Sequence, residues 1–176
     1  MNIVCRLCRG WILQRRIQAR LPELERVVFA WGHDMILART LATAAARACA
    51  ADLALFRAGP ELRIALYRAA LAGYLQYQRD YREVLHFVPG EQMSAARNPL
   101  ARKVRRALHE LDERQRMIVS LIDLGGCGYA EVEAILVLSR AELLEELCNA
   151  RAQLKLRLLA HTTGIPAPRP AQWGGR

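Results

Sequence analysis

The sequence predicts an all-α protein made of two small helical domains joined by a linker, the C-terminal one a helix-turn-helix. No stretch of useful length alternates β-branched and polar residues, as a half-buried strand would. Apolar residues instead recur every three or four positions in several blocks, for example over 143–158, which places them on one side of a helix. The interior stretch 88–102 contains Pro89 and Pro99 and has the composition of a linker.

Four segments follow from this pattern. Residues 1–87 form a helical domain with a basic N-terminal arm, and residues 88–100 form the linker. Residues 101–160 form the helix-turn-helix domain, and residues 161–176 form a proline-rich tail. Alternating prolines in that tail predict extended or disordered chain.

Composition and charge favour a folded protein with an anionic partner. Hydrophobic residues make up 53% of the chain, which excludes global disorder. The formal net charge is +9, and only two of the 26 basic side chains are lysines. Guanidinium groups bind phosphates and carboxylates in bidentate fashion, although a GC-rich coding sequence also enriches arginine. Five arginines and no acid occur in the first twenty residues, which predicts a basic helix or a frayed arm.

The N-terminus and the cysteines exclude several classes of protein. No uncharged apolar run is long enough to cross a bilayer, and Arg6 and Arg9 interrupt the stretch that a secretory signal requires. The five cysteines are odd in number and scattered, which argues against a disulfide framework. Cys5 and Cys8 form a CxxC that lacks a second pair of zinc ligands. We expect a cytoplasmic, soluble protein with no membrane span, metal site or cofactor.

Catalytic motifs are also missing from the sequence. It contains no phosphate-cradling glycine loop, no GxSxG elbow and no HExxH. The GGCG at residues 125–128 is too short for a phosphate loop. We therefore expect no catalytic residue, no small-molecule substrate and no enzyme activity.

The C-terminal block carries the clearest local pattern. A helix is predicted at 113–124, followed by a glycine-rich turn at 125–128, a short helix at 129–136 and a longer helix after Ser139. This is the plan of a helix-turn-helix, whose second helix enters the major groove of DNA. Ser139 and Glu142 have the spacing of a capping box.

This block resembles the fourth conserved region of bacterial RNA polymerase sigma factors of the extracytoplasmic-function (ECF) type. The matching residues are Ala107, Leu108, Leu111, Gln115, Arg116, Leu121, Gly126, Tyr129, Glu131, Ile135, Leu136, Ser139, Leu147, Ala150, Arg151 and Leu154. The N-terminal block resembles the family's second region more sparsely, through Leu21, Leu24, Asp34, Ala38, Leu41, Leu62, Arg63, Leu66 and Arg79. The two regions stand in the family's order and together cover nearly the whole chain.

The resemblance implies which partners the two domains would bind. The N-terminal domain would bind core RNA polymerase, with Asp34, Ala38 and Arg39 on the contact surface, and would help to open the promoter. The helix-turn-helix would contact upstream promoter DNA, with Arg140 and Arg151 on its second helix. An anti-sigma factor is a further partner that such proteins take.

A tyrosine series in the N-terminal block has two interpretations. Tyr67 and Tyr74 lie seven residues apart among Arg63, Arg68 and Arg79. Rings with adjacent cations suit stacking on unpaired bases, so Tyr67, Tyr74 and Arg79 join the predicted DNA-binding residues. The same tyrosines also suit half-buried packing positions with their hydroxyls at the rim of the core.

The departures from the family pattern leave two hypotheses. Where the family's recognition helix opens with GTVKSR, residues 139–150 contain one arginine and three glutamates, and carboxylates are repelled by DNA phosphates. Val137 replaces the turn glycine usual in the family, a strained choice if φ is positive there. Residues 38–40 lack the family's acidic polymerase-docking motif. The chain is predicted to be a promoter-binding, ECF-like sigma factor or a sigma mimic that binds an anti-sigma factor or polymerase without promoter recognition.

Overall fold

The computed structural model describes residues 3–52, 59–81 and 98–163, and all the regular secondary structure in these ranges is helical. The prediction of an all-α fold is confirmed. The α-helices are α1 (Ile3–Gly32), α2 (Met35–Ala50), α3 (Gly59–Tyr81), α4 (Pro99–His109), α5 (Glu113–Val119), α6 (Tyr129–Leu136) and α7 (Arg140–Thr163). A π-helical turn, Ser120–Leu124, continues α5.

Short polar side chains fix the start of several helices. Asp34 caps α2 by accepting hydrogen bonds from the backbone N–H groups of Ile36 and Leu37, at 2.7 and 3.1 Å. Asn98 caps α4 in the same way, and Pro99 fills the first helical position, where its missing N–H is harmless. Asp112 caps α5 through the N–H of Gln115.

Helices α1, α2 and α3 pack together because each presents one apolar face. Small buried residues of α2, including Ala38, Ala42 and Ala45, let it approach its neighbours closely. Large side chains from α1 and α3, such as Trp31 and Leu66, fill the space between them. The basic N-terminal stretch from residue 3 onward is helical and belongs to α1, as one of the two sequence interpretations predicts.

Helices α4 to α7 form the second group. Leu143, Leu147 and Ala150 make up the buried face of α7, and Val132 and Ile135 make up that of α6. The apolar spacing over 143–158 therefore marks the inner face of α7 only in part, because Leu154 and Leu158 are half-buried. Helix α7 runs to Thr163, past the predicted domain end at residue 160.

The two groups share one hydrophobic core. The indole N–H of Trp31 in α1 donates a 2.8 Å hydrogen bond to the hydroxyl of Ser120, and both side chains are buried. Gly125 lies against Tyr67 so closely that a Cβ there would sit 2.7 Å from the phenol oxygen. The predicted division into two domains is thus not confirmed, because buried residues of both halves belong to one continuous cluster. Of the predicted linker only residues 98–100 are described, at the start of α4; the remainder of it, and the tail beyond residue 163, lie outside the described ranges.

Candidate functional site

The two helices that the sequence predicts for the helix-turn-helix are present, and the second begins at a capping box. Helix α6 ends at Leu136 and α7 begins at Arg140. The Ser139 N–H donates to Glu142 Oε2 at 2.8 Å, and the Glu142 N–H donates to Ser139 Oγ at 3.3 Å. The Ser139 N–H and the Ser139 hydroxyl, which donates to the same carboxylate oxygen at 2.7 Å, hold the pKa of Glu142 below its ordinary value. Glu142 therefore has a structural role at the start of α7.

The turn between the two helices is strained at Val137. This residue adopts φ 56° and ψ 54°, in the left-handed region that favours glycine, and 83% of its surface is exposed. A β-branched side chain is disfavoured in this region. Because the side chain is exposed, no packing contacts offset the backbone strain. Val137 thus adopts a backbone conformation that glycine would adopt without strain.

The two cations expected to contact DNA from α7 are paired with carboxylates of their own domain. Arg140 Nε lies 2.7 Å from Glu133 Oε1, and its guanidinium lies over the ring of Tyr129 at 5.4 Å. An Arg151 guanidinium nitrogen lies 2.7 Å from Asp123 Oδ1. Both arginines remain about half exposed, so they can reach solvent, but neighbouring carboxylates offset their charge.

Carboxylate and apolar groups occupy much of the remaining outer face of α7. Glu142 and Glu145 are exposed on it, as are Leu144 and Leu156 at 39% and 46%. Glu146 is half-buried, and its carboxylate accepts a 3.3 Å hydrogen bond from Gln115 Nε2. Lys155 is also exposed on this face, so the negative charge is concentrated at the start of α7. That is the part of a recognition helix that contacts base edges, and carboxylates there are repelled by phosphate.

Two arginines of α3, Arg63 and Arg68, form hydrogen bonds with α6, and we call these contacts the clamp. Arg63 forms a bidentate ion pair with Glu131, in which the contact between Nε and Oε1 is 2.9 Å. This hydrogen bonding raises the pKa of Arg63. Arg68 donates from Nε and a terminal nitrogen to the carbonyl of Ala134, at 2.9 and 2.6 Å. The sequence analysis treated these arginines only as cations beside the tyrosines and missed their contacts with α6, since no sequence pattern pairs residues more than sixty positions apart.

The predicted stacking surface at Tyr67 and Tyr74 is wrong, because both rings are buried. Their exposed fractions are 2% and 1%, which leaves neither ring face open to a base. The Tyr67 hydroxyl donates to Glu23 Oε1 at 3.0 Å, and the Tyr74 hydroxyl donates to the Trp31 carbonyl at 3.1 Å. Burial raises the pKa of both phenols. The packing interpretation holds for these two residues, whereas Arg79 is exposed toward the C-terminal end of α3.

The residues expected to contact polymerase also differ in their exposure to solvent. Ala38 is fully buried, so the expectation that it lies on a contact surface is wrong. Asp34 is half-buried and caps α2 through one carboxylate oxygen, and its contact with polymerase stays a prediction. Arg39 is exposed. Beside it, Met35 and Ile36 are 40% and 75% exposed. Helical spacing could have identified Ile36 and Arg39, which lie away from the buried alanines of α2. It could not have identified Met35, which is three positions before Ala38 and therefore shares the buried side.

A buried histidine lies next to an apolar cavity that no pattern in the sequence predicts. The cavity, about 760 Å³, lies between α1 and α4, where its lining includes Phe29, His33, Val104 and Leu108. His33 is 5% exposed, its ring packs edge-on against His109 at 4.8 Å, and neither ring nitrogen has a hydrogen-bond partner among the described residues. Burial, reinforced by the positive charges of His109, Arg116 and Arg105, lowers the pKa of His33 to about 4.

Among the described residues there is neither a metal-binding cluster nor a membrane-spanning helix. No group of three or more His, Cys, Asp and Glu side chains in these ranges is placed to hold a metal ion. None of the helices in the described part of the chain combines the length and the apolar character needed to cross a membrane.

Comparison with known proteins adds no identification. No protein-family model matches the chain, and no curated protein sequence matches it.

Proposed function

We infer that the chain is a sigma-factor-like protein that acts through protein contacts: it binds RNA polymerase or an anti-sigma factor and does not read promoter sequence through α7. The observation that carries this inference is the outer face of α7. Its exposed carboxylate at Glu145 is not neutralised by an ion pair within the described residues, whereas Arg140 and Arg151 are. A carboxylate brought against a duplex is repelled by phosphate, and paired arginines gain less from meeting phosphate than free ones.

The exposed patch of α2 is the surface that we assign to the partner. Met35, Ile36 and Arg39 combine two exposed apolar side chains with a cation at their edge. Apolar side chains bordered by charge are typical of protein-binding surfaces. The patch also lies in the segment whose resemblance to sigma factors implies contact with polymerase.

A second candidate function, promoter binding by other elements, is favoured by the basic surface of α1. Trp11 is 59% exposed, and the Arg15 guanidinium lies 5.0 Å from its ring centroid. An exposed ring with an adjacent cation suits contact with unpaired bases and phosphates. Further exposed arginines on α1 and α4 are Arg16, Arg20, Arg102 and Arg106.

A binding assay with variants of the α2 patch tests the proposal. Ile36→Asp and Arg39→Glu should each weaken binding to immobilised core polymerase, or to an anti-sigma domain, by roughly tenfold, since exposed hot-spot side chains carry most of a contact's free energy. Arg47→Glu makes the same charge change at an exposed position of the same helix and should leave binding within about twofold of the wild type.

Either of two results would overturn the proposal. One is that the wild-type chain binds neither core polymerase nor the anti-sigma domain. The other is binding that Ile36→Asp leaves unchanged.

A further inference from the structure

The outer face of α7 carries a line of exposed side chains along the helix axis, which we call the seam. The exposed positions that follow each other at alternating steps of four and three are Ala141, Glu145, Cys148, Ala152, Lys155 and Leu159. Leu144 and Leu156 border this seam and are also exposed. Alternating steps of four and three keep one line of side chains facing a partner helix. The seam lies opposite the face that α7 buries in its own core.

The seam is complementary to itself when a second copy runs in the opposite direction. We place the centre of the helix pair at residue 150. A seam residue that lies a given number of positions before 150 in one copy then contacts the residue the same number of positions after 150 in the other copy. Glu145 then meets Lys155, Cys148 meets Ala152, and Ala141 meets Leu159. The contact is the same in both directions, as a two-fold symmetric interface requires.

Charge selects this arrangement over the parallel one. In a parallel in-register pair Glu145 would meet Glu145 and Lys155 would meet Lys155, and both contacts are repulsive. In the antiparallel pair both contacts are attractive. Within the described residues neither side chain forms an ion pair, so pairing with a second copy breaks no existing ion pair. The small side chains at Cys148 and Ala152 allow the two helices to approach closely at the centre.

We propose that the exposed face of α7 binds the same face of a second copy of this chain, in an antiparallel, two-fold symmetric dimer. One pair of helices buries an area at the low end for specific interfaces, so the dimer is weak and forms reversibly with concentration. This surface is separate from the α2 patch, and the proposal does not depend on the nature of the partner bound there.

Charge-reversal variants test whether the seam mediates dimerisation in solution. In sedimentation equilibrium under reducing conditions, the wild-type chain should show a monomer–dimer equilibrium at micromolar to millimolar concentrations. Glu145→Lys or Lys155→Glu should each weaken dimerisation by roughly tenfold, because each dimer gains two like-charge contacts. The double reversal should restore dimerisation to within about threefold of the wild type. Glu61→Lys, at an exposed position of α3, is the matched control and should have no effect.

Cross-linking tests which residues of the two α7 helices face each other in the dimer. A carbodiimide joins a carboxylate to an amine that it touches, and Lys103 and Lys155 are the only lysines of the chain. Glu145 and Lys155 of one helix are about 15 Å apart, too far for a direct bond. A peptide in which Glu145 is joined to Lys155 must therefore come from two copies, and mass spectrometry should find it in the dimer band.

Three results would overturn the proposal. The chain could stay monomeric over the whole concentration range, or dimerise to the same extent in both single reversals. The double reversal could also fail to recover the dimer although its circular dichroism matches that of the wild type.

Discussion

His33 and Val137 adopt positive φ values without being glycine, and each follows the end of a helix. His33 has φ 55° after α1, and Val137 has φ 56° after α6. The first is buried beside a cavity and the second is exposed on the turn of the helix-turn-helix. Left-handed backbone is disfavoured for both side chains, and more so for the β-branched valine. Each position therefore offers a test that depends on one residue.

Val137→Gly should stabilise the protein. Relief of the left-handed strain should exceed the added backbone entropy of glycine, for a net gain of about 1 kcal/mol in the free energy of unfolding. Urea denaturation measures this difference. Ala44→Gly, at an exposed position in the middle of α2, is the control and should lower stability by about 1 kcal/mol. A loss of stability in Val137→Gly would contradict the assigned backbone conformation.

His33 should make stability depend on pH in the acidic range. Its pKa is lowered from 6.5 to about 4, so the unfolded chain binds a proton more readily than the folded one. The resulting stability is fully present above pH 6.5 and is lost as the pH falls toward 4, by about 3 kcal/mol at most. The pKa of His109 is also lowered by burial, so its contribution has the same sign.

His33→Asn isolates this effect, because asparagine tolerates positive φ and does not titrate in this range. Denaturation curves at several pH values should show a shallower fall in stability below pH 6.5 than the wild type shows. Equal slopes in the two proteins would contradict the assignment of the pH dependence to His33.

At the scale of elements, local patterns predicted the helices of the C-terminal half well, and the contacts between elements could not be predicted in the same way. The predicted short helix at 129–136 coincides with α6, and the capping box at Ser139 and Glu142 forms as expected. These features depend on residues a few positions apart. The pairing of Arg63 with Glu131 spans 68 positions, and the burial of Tyr67 depends on α1, so neither leaves a periodic signal in the sequence.

The clamp between α3 and α6 should be a measurable part of the stability. Arg63→Met leaves the Glu131 carboxylate, which is largely buried, without its cation and should lower the free energy of unfolding by about 2 kcal/mol. Arg79→Met makes the same change at an exposed position of α3 and should alter stability by about 0.5 kcal/mol or less. Equal effects of the two substitutions in urea denaturation would show that the ion pair contributes little.

At the scale of the whole molecule, the shared core implies that the two halves unfold together. The proline-containing stretch predicted two domains, whereas Trp31, Ser120, Tyr67 and Gly125 join the halves through buried contacts. Composition identifies a break in the chain, but it carries no information on whether the flanking helices pack against each other. Which surfaces remain exposed for partners is therefore decided by packing, as the burial of Ala38 and Tyr74 illustrates.

Ser120→Ala tests this coupling. Removing the hydroxyl leaves the buried Trp31 N–H without its acceptor and should lower the stability of both halves by about 1–2 kcal/mol. Tryptophan fluorescence and far-ultraviolet circular dichroism should then shift together to one lower midpoint. Two separate transitions, only one of them shifted, would contradict a shared core.

Run-off transcription from a promoter library with purified core polymerase tests the central claim most directly. A protein that acts through contacts with polymerase and does not bind promoters, by α7 or by α1, should yield no specific transcripts, and it should inhibit an added sigma factor in proportion to its concentration. Specific start sites that depend on this chain would contradict that account.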